Sequence, residues 1–153
     1  MSDWHARFVG LADLVATWSK DPSTRVGAVI VRPDRTVASL GFNGFPRGCD
    51  DDPALYAERE TKYARVVHAE LNAILHAREP LHGCTMYTSF RPIGPTCDRC
   101  AAAVIQAGIV RVVHRLEQSA DMERWRAPIE QALRMYEEAG VEVVQITTDG
   151  RSS

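Results

Sequence analysis

Hydrophobic residues recur along this chain in two rhythms. Trp4, Phe8, Leu11, Val15 and Trp18 are spaced at alternating steps of four and three, the rhythm of one helix face. Ser19-Lys20-Asp21-Pro22 ends that helix, because the residue before a proline avoids the helical region. Val26 to Val31 is an unbroken run rich in β-branched residues and predicts a buried strand. The Arg32-Pro33-Asp34-Arg35 turn returns the chain into a second strand over 36–41, and so short a link makes the pair an antiparallel hairpin. Residues 42–53 are dense in Gly, Asn, Pro and Asp and read as a loop.

The helical rhythm resumes over about 66–77, with Val67, Leu71, Ile74 and Leu75 on one face. Strands follow over 84–89, 109–114 and 141–146. A helix over 97–107 ends at Gly108, the usual position for a left-handed cap. A last helix starts from Asp121 as cap, carries Trp125, Ile129, Leu133 and Tyr136 inward, and closes at Gly140. Strands alternating with helices predict a mostly parallel sheet. The expectation is an α/β chain, a three-layer α/β/α sandwich on a five-stranded mixed sheet whose first two strands are antiparallel. Residues 1–147 form one catalytic domain in this reading, with 148–153 as a disordered tail.

Composition narrows the functional classes. The chain has 153 residues, with 45% hydrophobic and 25% charged positions, the balance of an ordinary globular domain. Its net charge of −2 is unsuited to gripping long nucleic acid, which calls for a basic face. No apolar run approaches the roughly 20 residues of a membrane span. The first residues carry no basic segment leading into an apolar core, so a cytoplasmic protein is expected.

Four cysteines remain, at 49, 84, 97 and 100. Cys97 and Cys100 make a C-x-x-C, which calls for metal, redox chemistry or chance. Both open a predicted helix and share a face as i and i+3. A helix N-terminus favours thiolate over thiol. His68-Ala69-Glu70 opens another helix. Two thiolates and a neutral imidazole supply three ligands, which leaves a fourth position open, as in catalytic zinc sites. Glu70, two residues from His68, points elsewhere and suits a proton shuttle.

His-x-Glu followed by Pro-Cys-x-x-Cys is the known signature of zinc nucleobase deaminases. His68-x-Glu70 and Pro95-Thr96-Cys97-x-x-Cys100 match it with one residue inserted. The stretches Ser19 to Ala28, Gly41 to Asp51, Lys62-Tyr63 with Val67 to Ile74, and Ile105 to Ile109 extend the likeness. Over about 18–113 the chain resembles the deoxycytidylate (dCMP) deaminase family. The resemblance implies the cytidine-deaminase fold and one catalytic zinc per subunit on His68, Cys97 and Cys100. It implies conversion of dCMP to dUMP and ammonia, zinc-held hydroxide attacking C4 with Glu70 as proton shuttle. The Ala69 N–H would face the pyrimidine carbonyl, and Asn43 would contact sugar or effector. Homo-oligomers from dimer to hexamer, with dCTP and dTTP as effectors, are part of the same expectation.

The segment from Ser89 to Cys97 is about four residues longer than the family's usual link. It bears on substrate identity and leaves a nucleoside or free base (cytosine, guanine or a related aminated heterocycle) as the alternative. Arg91 in that segment is a candidate phosphate contact or a solvated residue. A second zinc on Cys49 with His76 or His82 is the weaker reading of the remaining cysteines.

Overall fold

In the computed structural model, residues 3–89, 94–115 and 122–147 are described. Helix α1 (Trp4–Ala16) leads into the hairpin β1 (Gly27–Val31) and β2 (Val37–Phe42). Two short helices, α2 (Pro53–Ala57) and α3 (Arg59–Arg65), precede α4 (Ala69–His76) and β3 (Thr85–Thr88). Then come α5 (Asp98–Gln106), β4 (Arg111–Arg115), α6 (Met122–Ala139) and β5 (Glu142–Ile146).

The five strands form one sheet in the order β2-β1-β3-β4-β5. β1 is antiparallel to both β2 and β3, whereas β3, β4 and β5 are mutually parallel. Only β1 therefore runs against the rest. The expected mixed sheet and antiparallel hairpin are present, and the structure adds the second antiparallel pairing, β1 with β3.

Alternation along the strands sends apolar residues to both faces. Val29, Val31, Tyr87, Val113 and Ile146 pack under Phe8, Val9, Ala12 and Val15 of α1. Ala28, Ile30, Met86 and Val112 face the opposite way, toward Ala69 and Ala73 of α4, Ala101 and Val104 of α5, and Ile129, Ala132 and Tyr136 of α6. The three-layer reading holds, with one helix on the first face and three on the second.

Four details differ from the sequence expectation. Residues 53–65, left between a loop and a helix, form α2 and α3, with the Asp52 carboxylate accepting the Ala54 N–H at the start of α2. α1 stops at Ala16, and Trp18 is 50% exposed, edge-on to Phe42. Leu75 and Leu133 point outward. Alanines take the inner positions, Ala73 on α4 and Ala132 on α6, because these helices lie too close to the core for a larger side chain. α4 starts at Ala69 and not near residue 66, because His68 is in the extended conformation of an N-cap. The Asp121 cap, Arg91 and the tail 148–153 lie outside the described residues.

Candidate metal centre and its cavity

Three side chains from two helix starts converge. His68 is the N-cap of α4, Cys97 is the N-cap of α5, and Cys100 stands in the first turn of α5. The His68 Nδ1 lies 3.5 Å from Cys97 Sγ and 3.3 Å from Cys100 Sγ. All three ligand atoms lie within 4.8 Å of one another, and among the described residues they form the single such cluster of metal-ligating groups. A tetrahedral zinc with ordinary bond lengths sets N···S separations of about 3.6 Å. The donor set therefore fits zinc in both chemistry and spacing.

Electrostatics point the same way. The neighbouring Cys100 holds the Cys97 thiol down at about 4, against an opposing burial effect and with help from His68. Cys100 is pushed up by its contact with Cys97, by burial and by Glu70. Contact with Cys97 draws the His68 pKa upward. Two buried thiols thus compete to ionise beside one another, a crowding of negative charge that a bound dication relieves.

Glu70 lies next to this cluster and is 1% exposed. Burial pushes its carboxyl above the usual range. Thr88, at the end of β3, donates its hydroxyl to Glu70 Oε1 at 3.3 Å. No sequence signal marks Thr88, since its role arises from the tertiary meeting of Glu70 on α4 with the end of β3.

The backbone explains why α4 can carry His68 and Glu70 to this point. Gly41 of β2 lies directly beneath α4, where a Cβ would stand 2.5 Å from the Ala73 nitrogen and 2.7 Å from the Ala69 oxygen. Glycine is what lets the helix rest on the sheet. Gly44 exchanges two backbone hydrogen bonds with Val67, at 3.1 and 2.8 Å, immediately before His68. Asn72 Nδ2 donates to the Phe42 carbonyl at 2.8 Å. On the cysteine side, Thr96 and Tyr136 join through their hydroxyls at 2.7 Å in a buried pair, so α6 anchors the residue before Cys97.

A cavity of about 560 Å³ opens over His68, Ala69 and Glu70. Ala69 lies in the first turn of α4, where N–H groups have no partner within the helix. Asn43 lines the wall at 5% exposure. Its Oδ1 accepts the Val26 N–H at 2.8 Å, and its Nδ2 donates to the Thr24 carbonyl at 2.8 Å. Beside it the Asp21 carboxylate, fully buried, meets Lys62 Nζ at 2.8 Å and accepts the Ser23 and Thr24 N–H groups. Tyr63, Arg59, Arg124 and Trp125 complete the outer wall. Cys49 is exposed and unpaired, and His76 meets Arg47, at 3.2 Å; the proposed second zinc set does not assemble among the described residues.

Residues 2–116 match the family model of the cytidine and deoxycytidylate deaminase zinc-binding region. The chain is 46% identical over 150 residues to a protein of Aliivibrio fischeri named "Uncharacterized deaminase in luxG 3'region", covering 97% of each. It is 40% identical over 131 residues to the deoxycytidylate deaminase of Mus musculus, covering 82% of this chain and 71% of the mouse protein. Among solved structures, the dCMP deaminase of cyanophage S-TIM5 superposes with a TM-score of 0.72 at 21% identity, over 95% of this chain and 99% of that one. This last likeness is one of fold.

Proposed function

The chain belongs to the cytidine and deoxycytidylate deaminase zinc-binding family, and from that premise we propose that it hydrolyses the exocyclic amine of dCMP to give dUMP and ammonia. It is a zinc-dependent deaminase. The observation that carries the reading is the convergence of His68, Cys97 and Cys100 with a buried carboxylate, Glu70, at the floor of one cavity.

His68 Nδ1 and the two thiolates would hold the zinc. When bound, zinc supplies a nucleophile at neutral pH by lowering the pKa of water. Glu70 carries two protons in turn, the first from the attacking water to ring N3 and the second from the hydroxyl then attached to C4 to the departing amine. One water is consumed; the C4–O bond forms first, and the C4–N bond then breaks with loss of ammonia. Thr88 holds the Glu70 carboxyl in place. The Ala69 N–H donates to the pyrimidine carbonyl. Asn43 keeps one acceptor lone pair on Oδ1 for the sugar, while its amide group secures the cavity wall. Residues 1–147 act as one catalytic domain, since both cores flank one sheet. The family resemblance supports a homo-oligomer that responds to dCTP and dTTP; sedimentation, and rates with and without each nucleotide, test both points. Among the described residues no helix is long and apolar enough to cross a membrane.

The test is a substrate panel of dCMP, deoxycytidine, cytosine and guanine on the zinc-loaded protein and on Glu70→Gln. Wild type is expected to prefer dCMP, and the variant to retain zinc while losing at least a hundredfold in turnover. A variant at full rate refutes the role of Glu70. A stronger rate on deoxycytidine or a free base refutes the nucleotide assignment.

A further inference from the structure

The two helices that carry the metal-binding side chains are each tied down at the residue before the ligand, by different means. Before His68, Val67 exchanges backbone hydrogen bonds with Gly44. Before Cys97 the tie is made by side chains. Thr96 is buried, and it stands between Pro95 and Cys97, where the deaminase signature has no residue. Its hydroxyl donates to the Cys97 carbonyl at 3.0 Å. A hydroxyl has a single proton to give, so in the 2.7 Å contact with Tyr136 the phenol donates and Thr96 accepts. The Cys97 carbonyl also takes the Ala101 N–H at 3.0 Å, the first hydrogen bond of α5. Both lone pairs of that carbonyl are therefore filled, one by the helix it opens and one by a relay that begins on α6. Tyr136 is itself buried. Two turns earlier on the same face of α6, Ile129 packs on Gly94, where a Cβ would stand 2.4 Å from Ile129 Cγ2. Gly94, Pro95, Thr96 and Cys97 are all buried, so the lengthened link is seated on α6 as it enters the metal cluster.

We propose that Tyr136 is a positioning residue for the metal: through Thr96 it fixes the Cys97 peptide, and with it the direction of the Cys97 Sγ. The proposal deepens the reading of this cluster as a zinc centre and rests on it. A cysteine side chain turns about one bond, so the place of its sulfur is set by its backbone and a choice of three staggered rotamers. An added residue before the ligand gives that backbone more freedom to lose on folding, and the relay from α6 removes it. An apolar contact would also hold the link against α6, but a hydrogen bond fixes angle as well as distance. The phenol and the hydroxyl satisfy one another inside the core, so neither is left as an unpaired buried group. Groups that orient a metal ligand from behind are worth roughly 10- to 100-fold in metal affinity. Tyr136 thereby carries part of the zinc affinity from forty residues beyond the ligand it serves.

The experiment titrates zinc, against a competing chelator, into wild type, Tyr136→Phe, Thr96→Val, Thr96→Ser and the Tyr136→Phe/Thr96→Val double variant. The cobalt-substituted form of each is read for its thiolate-to-metal absorption. Tyr136→Phe and Thr96→Val are each expected to weaken zinc binding by about tenfold or more and to shift that absorption. The double variant should lose no more than the weaker single, because both changes cut one relay. Thr96→Ser keeps the hydroxyl and should bind zinc within about twofold of wild type. Neither Thr96 nor Tyr136 is among the residues that line the cavity, so the zinc-saturated variants should lower kcat for dCMP while KM holds. Wild-type zinc affinity and cobalt absorption in both Tyr136→Phe and Thr96→Val, or losses that add in the double variant, overturn the positioning role whatever the melting temperature does. Should Tyr136→Phe not fold, Thr96→Val against Thr96→Ser decides, and equal zinc affinity in those two overturns the role. A wild type that binds no zinc overturns instead the reading beneath it.

Discussion

Replacing Gly41 with alanine tests how the sheet positions the chemistry. The new Cβ would stand 2.5 Å from the Ala73 nitrogen, 2.7 Å from the Ala69 oxygen and 3.0 Å from the Ala73 Cα. All three are backbone atoms of one helix, so no side chain can rotate to make room. Ordinary contact between heavy atoms begins near 3.5 Å, and α4 must therefore retreat by about 1 Å. Its ties to the sheet resist that retreat. Ser39 donates to the Ala73 carbonyl at 2.6 Å, and Asn72 to the Phe42 carbonyl at 2.8 Å. Overpacking together with strained hydrogen bonds should cost about 3 kcal/mol, or a melting temperature lower by about 10 °C. His68 and Glu70 ride on the same helix start, and a displacement near 1 Å should lower kcat by about a hundredfold. Thermal melting, zinc affinity by chelator competition, and dCMP turnover read the three effects. Gly27→Ala is the comparison. There a Cβ overlaps the Ala12 carbonyl and approaches the Ala16 nitrogen to 2.7 Å, on the α1 side of the sheet. It should destabilise while disturbing turnover far less. Wild-type melting and turnover in Gly41→Ala, or equal loss of turnover in Gly27→Ala, would refute the argument.

Three further outcomes are expected. Chelation of zinc should lower the melting temperature, and added zinc should restore it, since a ligand that binds only the native state stabilises it; an unchanged melt contradicts the assembled site. Buried His114 is pushed down to about 4 by burial. Its folded pKa lies below the unfolded value near 6.5, so the unfolded chain binds the extra proton and stability falls as pH drops between those values. Between pH 7 and 5 the loss attributable to His114 should be about 2 kcal/mol, measured as the part of the urea-midpoint shift that His114→Phe removes; an identical shift in the variant rejects it. Burial alone would raise the Asp21 carboxyl, but Lys62 and the Ser23 and Thr24 N–H groups outweigh it and hold the pKa below the usual value. Its contribution is present above the unfolded carboxylate pKa and lost as pH falls through the folded one. Asp21→Asn, which leaves Lys62 uncompensated, should cost about 3 kcal/mol at pH 7 by denaturant titration, and a loss under 1 kcal/mol would show the pair to be unimportant.

Much of this molecule is determined by local sequence. The Val26–Val31 run and the four-residue turn after it act over a few residues, and the hairpin follows from them. The three zinc-binding side chains are legible for a related reason. Cys97 and Cys100 stand at the N-cap and in the first turn of one helix, and His68 and Glu70 hold the same kind of positions on another, relations that a few residues fix. The antiparallel pairing of β1 with β3 is a different matter, since it joins strands more than fifty residues apart, beyond any local pattern. So is the choice of Ala132 over Leu133 as the inward residue, which the close approach of α5 and α6 dictates. Thr88 against Glu70, Tyr136 against Thr96, and Asn43 engaged on Val26 and Thr24 join segments 17 to 40 residues apart. No periodicity spans such distances. The sequence by itself determined the elements and the donor chemistry, because propensity, capping and helical spacing are properties of short segments. Only the tertiary structure decided which starts of helices meet, which carboxylate is buried beside the thiols and which tyrosine stands behind a cysteine ligand, because those follow from how the elements pack.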